Sequence, residues 1–250
     1  VLPKLLAEHG IAQVIAPIAT RSGALWAECA HFTLLLYPFV PSRNAYDVVL
    51  SPQHWHDFGA TLKQLHRFAV PPSLAQAIRR ESYSPRWRMS VAHFLQWVAR
   101  ATFADAIAAD LADVLRRHHR QIAQMLSRAA ELAQQLQVKS LEYVLCHADA
   151  HAGNVLLGEG GEHDGKLYVV DWDAPMFAPK ERDLMFVGGG LGFAGHTPST
   201  EETLFYRGYG AADINFAALA YYRYERIIED IALYCQQVFE SDDDDRDRAQ

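Results

Sequence analysis

One short stretch of this chain dictates its own geometry. Two β-rich runs, at residues 155–157 and 167–171, flank Gly158-Glu159-Gly160-Gly161-Glu162-His163-Asp164-Gly165, a hairpin loop by composition. A third run at 143–147 leads into them through His147-Ala148-Asp149-Ala150-His151-Ala152-Gly153-Asn154. Antiparallel pairing about the glycine-rich loop brings Asn154 and Asp171 within a residue or two of being opposite. Asp149 sits on an irregular loop at the same end, so an amide oxygen and two carboxylates converge on one rim.

The rest of the chain runs strands first and helices afterwards. Residues 3–9 read as a helix closed by Gly10, and β-rich segments follow at 14–20, 26–30 and 32–37, broken by the turn Arg21-Ser22-Gly23. The apolar run 32–40 reads as a buried strand, and Pro38 and Pro41 bracket a stiff extended link. Ser51-Pro52 then opens a helix with the apolar stripe Trp55, Phe58, Leu62, Leu65. Further helices are expected at about 90–101 and 105–136, and helices carry the chain on to Phe239. Gly188-Gly189-Gly190 with Gly192 reads as a flexible connection, and the charge run at 242–248 as a solvated tail. This order suggests an α+β arrangement with segregated lobes.

Composition narrows the partners. The net charge is −7 with no cluster of Lys and Arg, which argues against nucleic acid or an anionic membrane and for a cationic partner. Cys29, Cys146 and Cys235 are widely spaced, as expected of free thiols in a reducing, cytoplasmic setting. No apolar run has membrane-spanning length, and Pro3, Lys4 and Glu8 interrupt any signal-peptide core. A start at Val1 suggests that a longer chain has been trimmed.

Asn and Asp oxygens are hard ligands that suit Mg²⁺ sharing its shell with phosphate and water. A further carboxylate can orient a hydroxyl and take its proton. Phosphoryl transfer needs little beyond such positioning and charge neutralisation. The competing reading makes His147, His151 and Asp149 a hydrolase-type metal cluster. It leaves Asn154 and the strand ending in Asp171-Trp172-Asp173 without a role.

The loop 147–154 and Val169-Val170-Asp171-Trp172-Asp173 together resemble the H-x-D-x-x-x-x-N and D-x-[DE] elements of aminoglycoside phosphotransferases and the wider kinase-like family of antibiotic, choline and sugar kinases. Pro179-Lys180-Glu181-Arg182-Asp183-Leu184 is similar to the family's segment after the metal Asp. The residues from Tyr222 to Asp230 resemble the spectinomycin phosphotransferase branch.

The resemblance implies a protein-kinase-like, two-lobe α+β fold. A truncated N-lobe would occupy residues 1–40, with a hinge at 37–43 and a mostly helical C-lobe over 41–250. It implies ATP and Mg²⁺ as cofactors, Asp149 as catalytic base, and Asn154 and Asp171 as metal ligands. The backbone of Tyr37, Phe39 and Val40 would hold adenine, while His147 and Asp183 brace the loop. Asp173, Asp213, Glu225 and Glu229 would face the acceptor, although taken singly Asp213, Glu225 and Glu229 read first as helix-surface charge. That acceptor would be a small, hydroxylated, cationic molecule such as an aminoglycoside or aminocyclitol antibiotic; another amino alcohol or a sugar stays open.

A kinase of this kind also needs a glycine-rich loop over the phosphates and a strand lysine. The only Lys ahead of the hinge is Lys4, so the resemblance begins partway through the N-lobe. Either the first strands are omitted, the expectation preferred, or the chain is a pseudokinase-like binding module.

Overall fold

The computed structural model of the chain describes residues 1–189 and 192–240. In chain order it holds α1 (Leu2–Glu8), β1 (Ala27–Cys29), β2 (Phe32–Leu34), β3 (Ser42–Asn44), α2 (Pro52–Arg67), α3 (Pro72–Ala75), β4 (Arg79–Arg80), α4 (Arg86–Val98) and α5 (Ala106–Gln137). There follow β5 (Val144–Cys146), β6 (Val155–Gly158), β7 (Leu167–Val169), β8 (Met176–Ala178), α6 (Glu181–Leu184), α7 (Pro198–Tyr209) and α8 (Phe216–Phe239). Residues 1–80 with 142–214 form one compact unit, and residues 81–141 with 215 onward another. The expected charged tail at 242–248, and Gly190, lie outside the described residues.

In the first unit the hairpin forms as its composition requires. Strands β6 and β7 pair antiparallel in the register Val155↔Val169, Leu156↔Tyr168 and Leu157↔Leu167, and β3 adds to the other edge of β6. A second small sheet runs β4-β8-β5; its middle strand, β8, was not anticipated. Helix α2 starts with the capping box that Ser51 allows: the Ser51 hydroxyl accepts from the His54 N–H, and the His54 ring accepts from the Ser51 N–H. Its stripe of Trp55, Phe58, Leu62 and Leu65 is buried, and the helix packs on α7 at very close range. A Cβ on Gly59 would fall 2.2 Å from the Phe205 carbonyl oxygen, and one on Gly208 would fall 1.8 Å from that of His56. Two glycines thus let the helix backbones touch.

Two expectations need correction here. The run at 32–40 is not a buried strand: Phe32 is 71% and Phe39 87% exposed, and only Val40 is buried. The reason is topological. Among the described residues β1 and β2 pair only with each other, and every residue of both strands is exposed, so this two-stranded ribbon buries neither face. Gly188 does not sit in a loose connection either, since its N–H donates to the buried Glu201 carboxylate at 3.0 Å.

The second unit is helical. Side-chain caps start two of its helices: Asp105 accepts from Ala108 N–H, and Asn215 accepts from the N–H groups of Ala217 and Ala218. Val91, Phe94, Leu95 and Val98 of α4 bury against Ala112, Leu115, Ile122 and Ala129 of α5 and Ile228, Ala232 and Cys235 of α8. One buried ion pair joins Arg88 to Glu225, and Arg88 also donates to the carbonyls of Tyr83 and Ser84. Among the described residues no helix is long and apolar enough to cross a membrane. All three cysteines are free thiols.

Candidate active site

The rim predicted from the hairpin is assembled by backbone hydrogen bonds. Val170 N–H donates to the Asn154 carbonyl at 3.0 Å, one step beyond the Val155↔Val169 pair, so Asn154 lies opposite Val170 and beside Asp171. Asn154 in turn donates from its side-chain amide to the Asp149 carbonyl at 2.9 Å. A carbonyl only accepts, so the NH₂ of Asn154 faces it and the amide oxygen is turned the other way.

Both carboxylate-bearing turns use unusual backbone. Ala148, just before Asp149, has φ +73°, and Asp171 itself has φ +65°. Non-glycine residues in the left-handed region carry strain that surrounding structure must hold, and such residues cluster at functional sites.

That holding structure lies beneath the loop. Asp183, fully buried, accepts from His147 N–H at 2.9 Å, Ala148 N–H at 2.6 Å and His66 Nε2–H at 2.9 Å. His66 Nδ1 meets the Tyr209 hydroxyl at 2.7 Å. Burial works to raise the Asp183 pKa, but the hydrogen bond and charge of His66, the charge of His147 and the Ala148 N–H together hold it below the usual carboxylate value. Burial likewise pushes the Tyr209 hydroxyl up, with Asp183 adding to the effect.

The His147 ring has both nitrogens engaged: Nε2–H donates to the Val170 carbonyl at 2.8 Å, and Nδ1 accepts from Asp149 N–H at 3.2 Å. Burial takes its pKa below the ordinary value, outweighing the opposite pull of Asp183, the Val170 carbonyl, Asp149 and Asp171. A histidine so engaged has no nitrogen for a metal. The cluster of His147, His151 and Asp149 as metal ligands is therefore not what the loop builds.

Beside the rim opens a cavity of about 460 Å³, within the usual size of a small-ligand site. Its walls include Ile15, Leu156 and Val169, the link residues Tyr37, Phe39 and Val40, and the carboxylates of Asp171 and Asp173. Burial, and then the Asp173 carboxylate, raise the Tyr37 pKa.

The structure thus brings Asp149, Asn154 and Asp171 to one rim, and Asp171, Asp173, Tyr37, Phe39 and Val40 to one cavity. The expected acceptor residues differ in their own surroundings: Asp173 lines this cavity. Glu225 is buried in its ion pair with Arg88, Asp213 is exposed, and Glu229 is half-buried on α8. Among the residues that sequence reading missed is His66. Its signal was its place beside Leu65, on the inward stripe of α2, where a polar ring must find a partner.

The donor set fits a hard divalent cation bound together with phosphate. Asn154 offers an amide oxygen already oriented by its other half, and Asp171 offers an exposed carboxylate beside it.

The profile of the phosphotransferase enzyme family matches residues 3–224. A crystal structure of spectinomycin phosphotransferase in complex with ADP and spectinomycin is 38% identical. It superposes with a TM-score of 0.88, covering 98% of this chain and 73% of that one. Protein StrN of Streptomyces griseus is 25% identical over 183 residues, which make up 72% of this chain and 56% of that protein. The chain therefore spans little more than half the length of this curated relative. An ethanolamine kinase of Plasmodium vivax, 15% identical with a TM-score of 0.58, covers 98% of this chain and 66% of its own. The kinase-like α+β fold expected from the sequence is the fold of these neighbours.

Proposed function

The chain belongs to the phosphotransferase enzyme family, and on that premise we propose that it serves an ATP-dependent kinase acting on a hydroxyl of an aminocyclitol such as spectinomycin. The observation that carries this reading is the convergence of Asp149, Asn154 and Asp171 at one rim beside a cavity walled by the 37–40 link. The likeness to a spectinomycin phosphotransferase at 38% identity selects the acceptor class.

Each residue has a task that its surroundings support. Asp149 takes the proton of the acceptor hydroxyl as the new oxygen–phosphorus bond forms and ADP leaves. Asn154 Oδ1 and the Asp171 carboxylate would hold Mg²⁺, which when bound neutralises charge on the transferring phosphoryl group. The backbone of Tyr37, Phe39 and Val40 holds adenine, whose flat ring suits the apolar walls of Ile15, Leu156 and Val169. In this reading residues 1–40 belong to the nucleotide-binding lobe, and those from 41 onward to the lobe carrying the catalytic loop. His147 and Asp183 keep the loop in shape. The net charge of −7 and the carboxylates Asp173, Asp213 and Glu229 favour an acceptor that carries an ammonium group. Glu225 is left out of that set, because Arg88 already occupies it.

The test is product detection by mass spectrometry after incubating the intact protein with Mg-ATP and spectinomycin, beside Asp171→Ala. Phosphorylated spectinomycin from the wild type, with none above background from the variant, supports the reading. Nucleotide binding without transfer to any aminocyclitol or aminoglycoside would make the protein a binding module instead. A neutral sugar as best acceptor, with a KM indifferent to salt, would remove the cationic substrate.

A further inference from the structure

Asp171 lacks the direct support that the other rim residues enjoy. Its side chain is exposed, and among the described residues no hydrogen bond reaches its carboxylate. Its aim is therefore set by its backbone, which at φ +65° lies in the left-handed region. An aspartate stays there only where its neighbours hold it.

The two residues before it are pinned. Val169 N–H donates to the Gln13 carbonyl at 2.8 Å, and Val170 N–H donates to the Asn154 carbonyl at 3.0 Å. The Val170 carbonyl accepts from His147 Nε2–H at 2.8 Å. After Asp171 the task falls to a side chain. Trp172 Nε1–H donates to the Val169 carbonyl at 2.9 Å, so the segment from 169 to 172 is closed around Asp171. In an ordinary β-turn the backbone N–H of the fourth residue makes that bond to the first. Here the carbonyl accepts from the indole.

The indole ring is held in turn. It meets the His147 ring edge-on, with centroids 4.5 Å apart and planes at 65°, and it forms part of the cavity wall with Asp171 and Asp173. A half-buried indole N–H usually finds an acceptor somewhere. This one takes the carbonyl that opens the segment presenting Asp171, and its ring rests on the histidine bonded to the same segment.

We infer that Trp172 is a positioning residue for Asp171: by holding the Val169 carbonyl, its indole N–H fixes the left-handed backbone that presents the Asp171 carboxylate to a divalent cation. The inference rests on the kinase reading, in which Asp171 is a ligand of Mg²⁺.

The experiment uses the intact protein and titrates Mg²⁺ against the affinity for a non-hydrolysable ATP analogue by calorimetry, with kcat measured at each Mg²⁺ concentration. The wild type is compared with Trp172→Phe and with a variant carrying benzothienylalanine at position 172. Phenylalanine keeps an aromatic ring beside His147 but has no N–H. Benzothienylalanine keeps the whole bicyclic ring, with sulfur in place of the N–H. Partners that orient a metal ligand typically account for about 10–100-fold in metal affinity, and both variants should need that much more Mg²⁺ to reach half of the metal-dependent gain in nucleotide affinity. Nucleotide affinity in EDTA should match wild type, and the loss of kcat should shrink as Mg²⁺ is raised. A merely structural defect would instead lower affinity and kcat alike at every Mg²⁺ concentration, and that result overturns the inference. So does a benzothienylalanine variant whose Mg²⁺ midpoint equals that of wild type; in both cases the kinase reading stands. A wild type whose nucleotide affinity is indifferent to Mg²⁺ removes both.

Discussion

The two compact units handle buried polarity in opposite ways. Around residues 142–184 the polar groups are linked: His66, Tyr209, Asp183, His147, Asp149 and Asn154 form one connected set beneath and within the loop. In the helical unit the core of α4, α5 and α8 is apolar, and among the described residues its buried charge is the Arg88–Glu225 pair with two carbonyl partners. A linked set transmits a lost partner to every member, whereas an isolated pair affects mainly itself. Strain follows the same division. Ala148 holds positive φ where its N–H donates to Asp183, and Asp171 holds it just past the paired end of β7.

The largest effect that can test this contrast is on turnover. Asp149→Asn should lower kcat by about 10²–10⁴, as expected when a positioned base is lost. Circular dichroism and nucleotide affinity should match wild type, because the side-chain carboxylate is half-exposed and contributes little to the fold. Turnover within twofold of wild type would place the base elsewhere.

Next is the brace. Asp183→Ala leaves three buried donors facing a void and should cost about 3–5 kcal/mol of stability. Activity should fall with it, because Ala148 and His147 lose what holds them. Glu225→Leu should destabilise comparably in chemical denaturation, yet retain most of its kcat at a temperature where it stays folded. If Glu225→Leu lost turnover as severely as Asp183→Ala, the division between the units would fail.

A smaller effect distinguishes the helical pair from the loop network again. Replacing both partners, Arg88→Met with Glu225→Leu, removes the uncompensated charge and should leave stability unchanged or raise it by about 1–4 kcal/mol. Urea unfolding of the double variant against Glu225→Leu alone measures the difference.

The smallest expected effect is the pH dependence of stability. His147 has its folded pKa below the ordinary value of 6.5, so below that pH the unfolded chain binds more protons than the folded one. Stability should be fully present above about pH 6.5 and decline gently as pH falls through the lowered value. Asp183, held below its ordinary 3.8, adds a second decline in more acidic solution. Denaturant midpoints between pH 8 and 3 should show both, and His147→Asn should remove the first. Stability that rises on mild acidification would contradict the buried, neutral His147.

Much of this molecule is written locally. Alternating apolar runs about a glycine-rich loop specify a hairpin and its register, and Ser51-Pro52 specifies a helix start, because both depend on neighbours a few residues apart. The meeting of Asn154 and Asp171 follows from that register alone. Three other features depend on residues distant in the chain. Asp183 reaches the loop across 35 residues and His66 reaches Asp183 across 117, and neither is visible as spacing. Glu225 carries the same charge as a residue facing a substrate. Only packing against Arg88 decides that it is buried instead. The run at 32–40 has the composition of a buried strand, but whether a strand is buried depends on what covers its faces. Local propensity and pairing determined the hairpin and its rim, whereas desolvation and long-range partners, which need the folded chain, decided which polar groups are structural and which face the cavity.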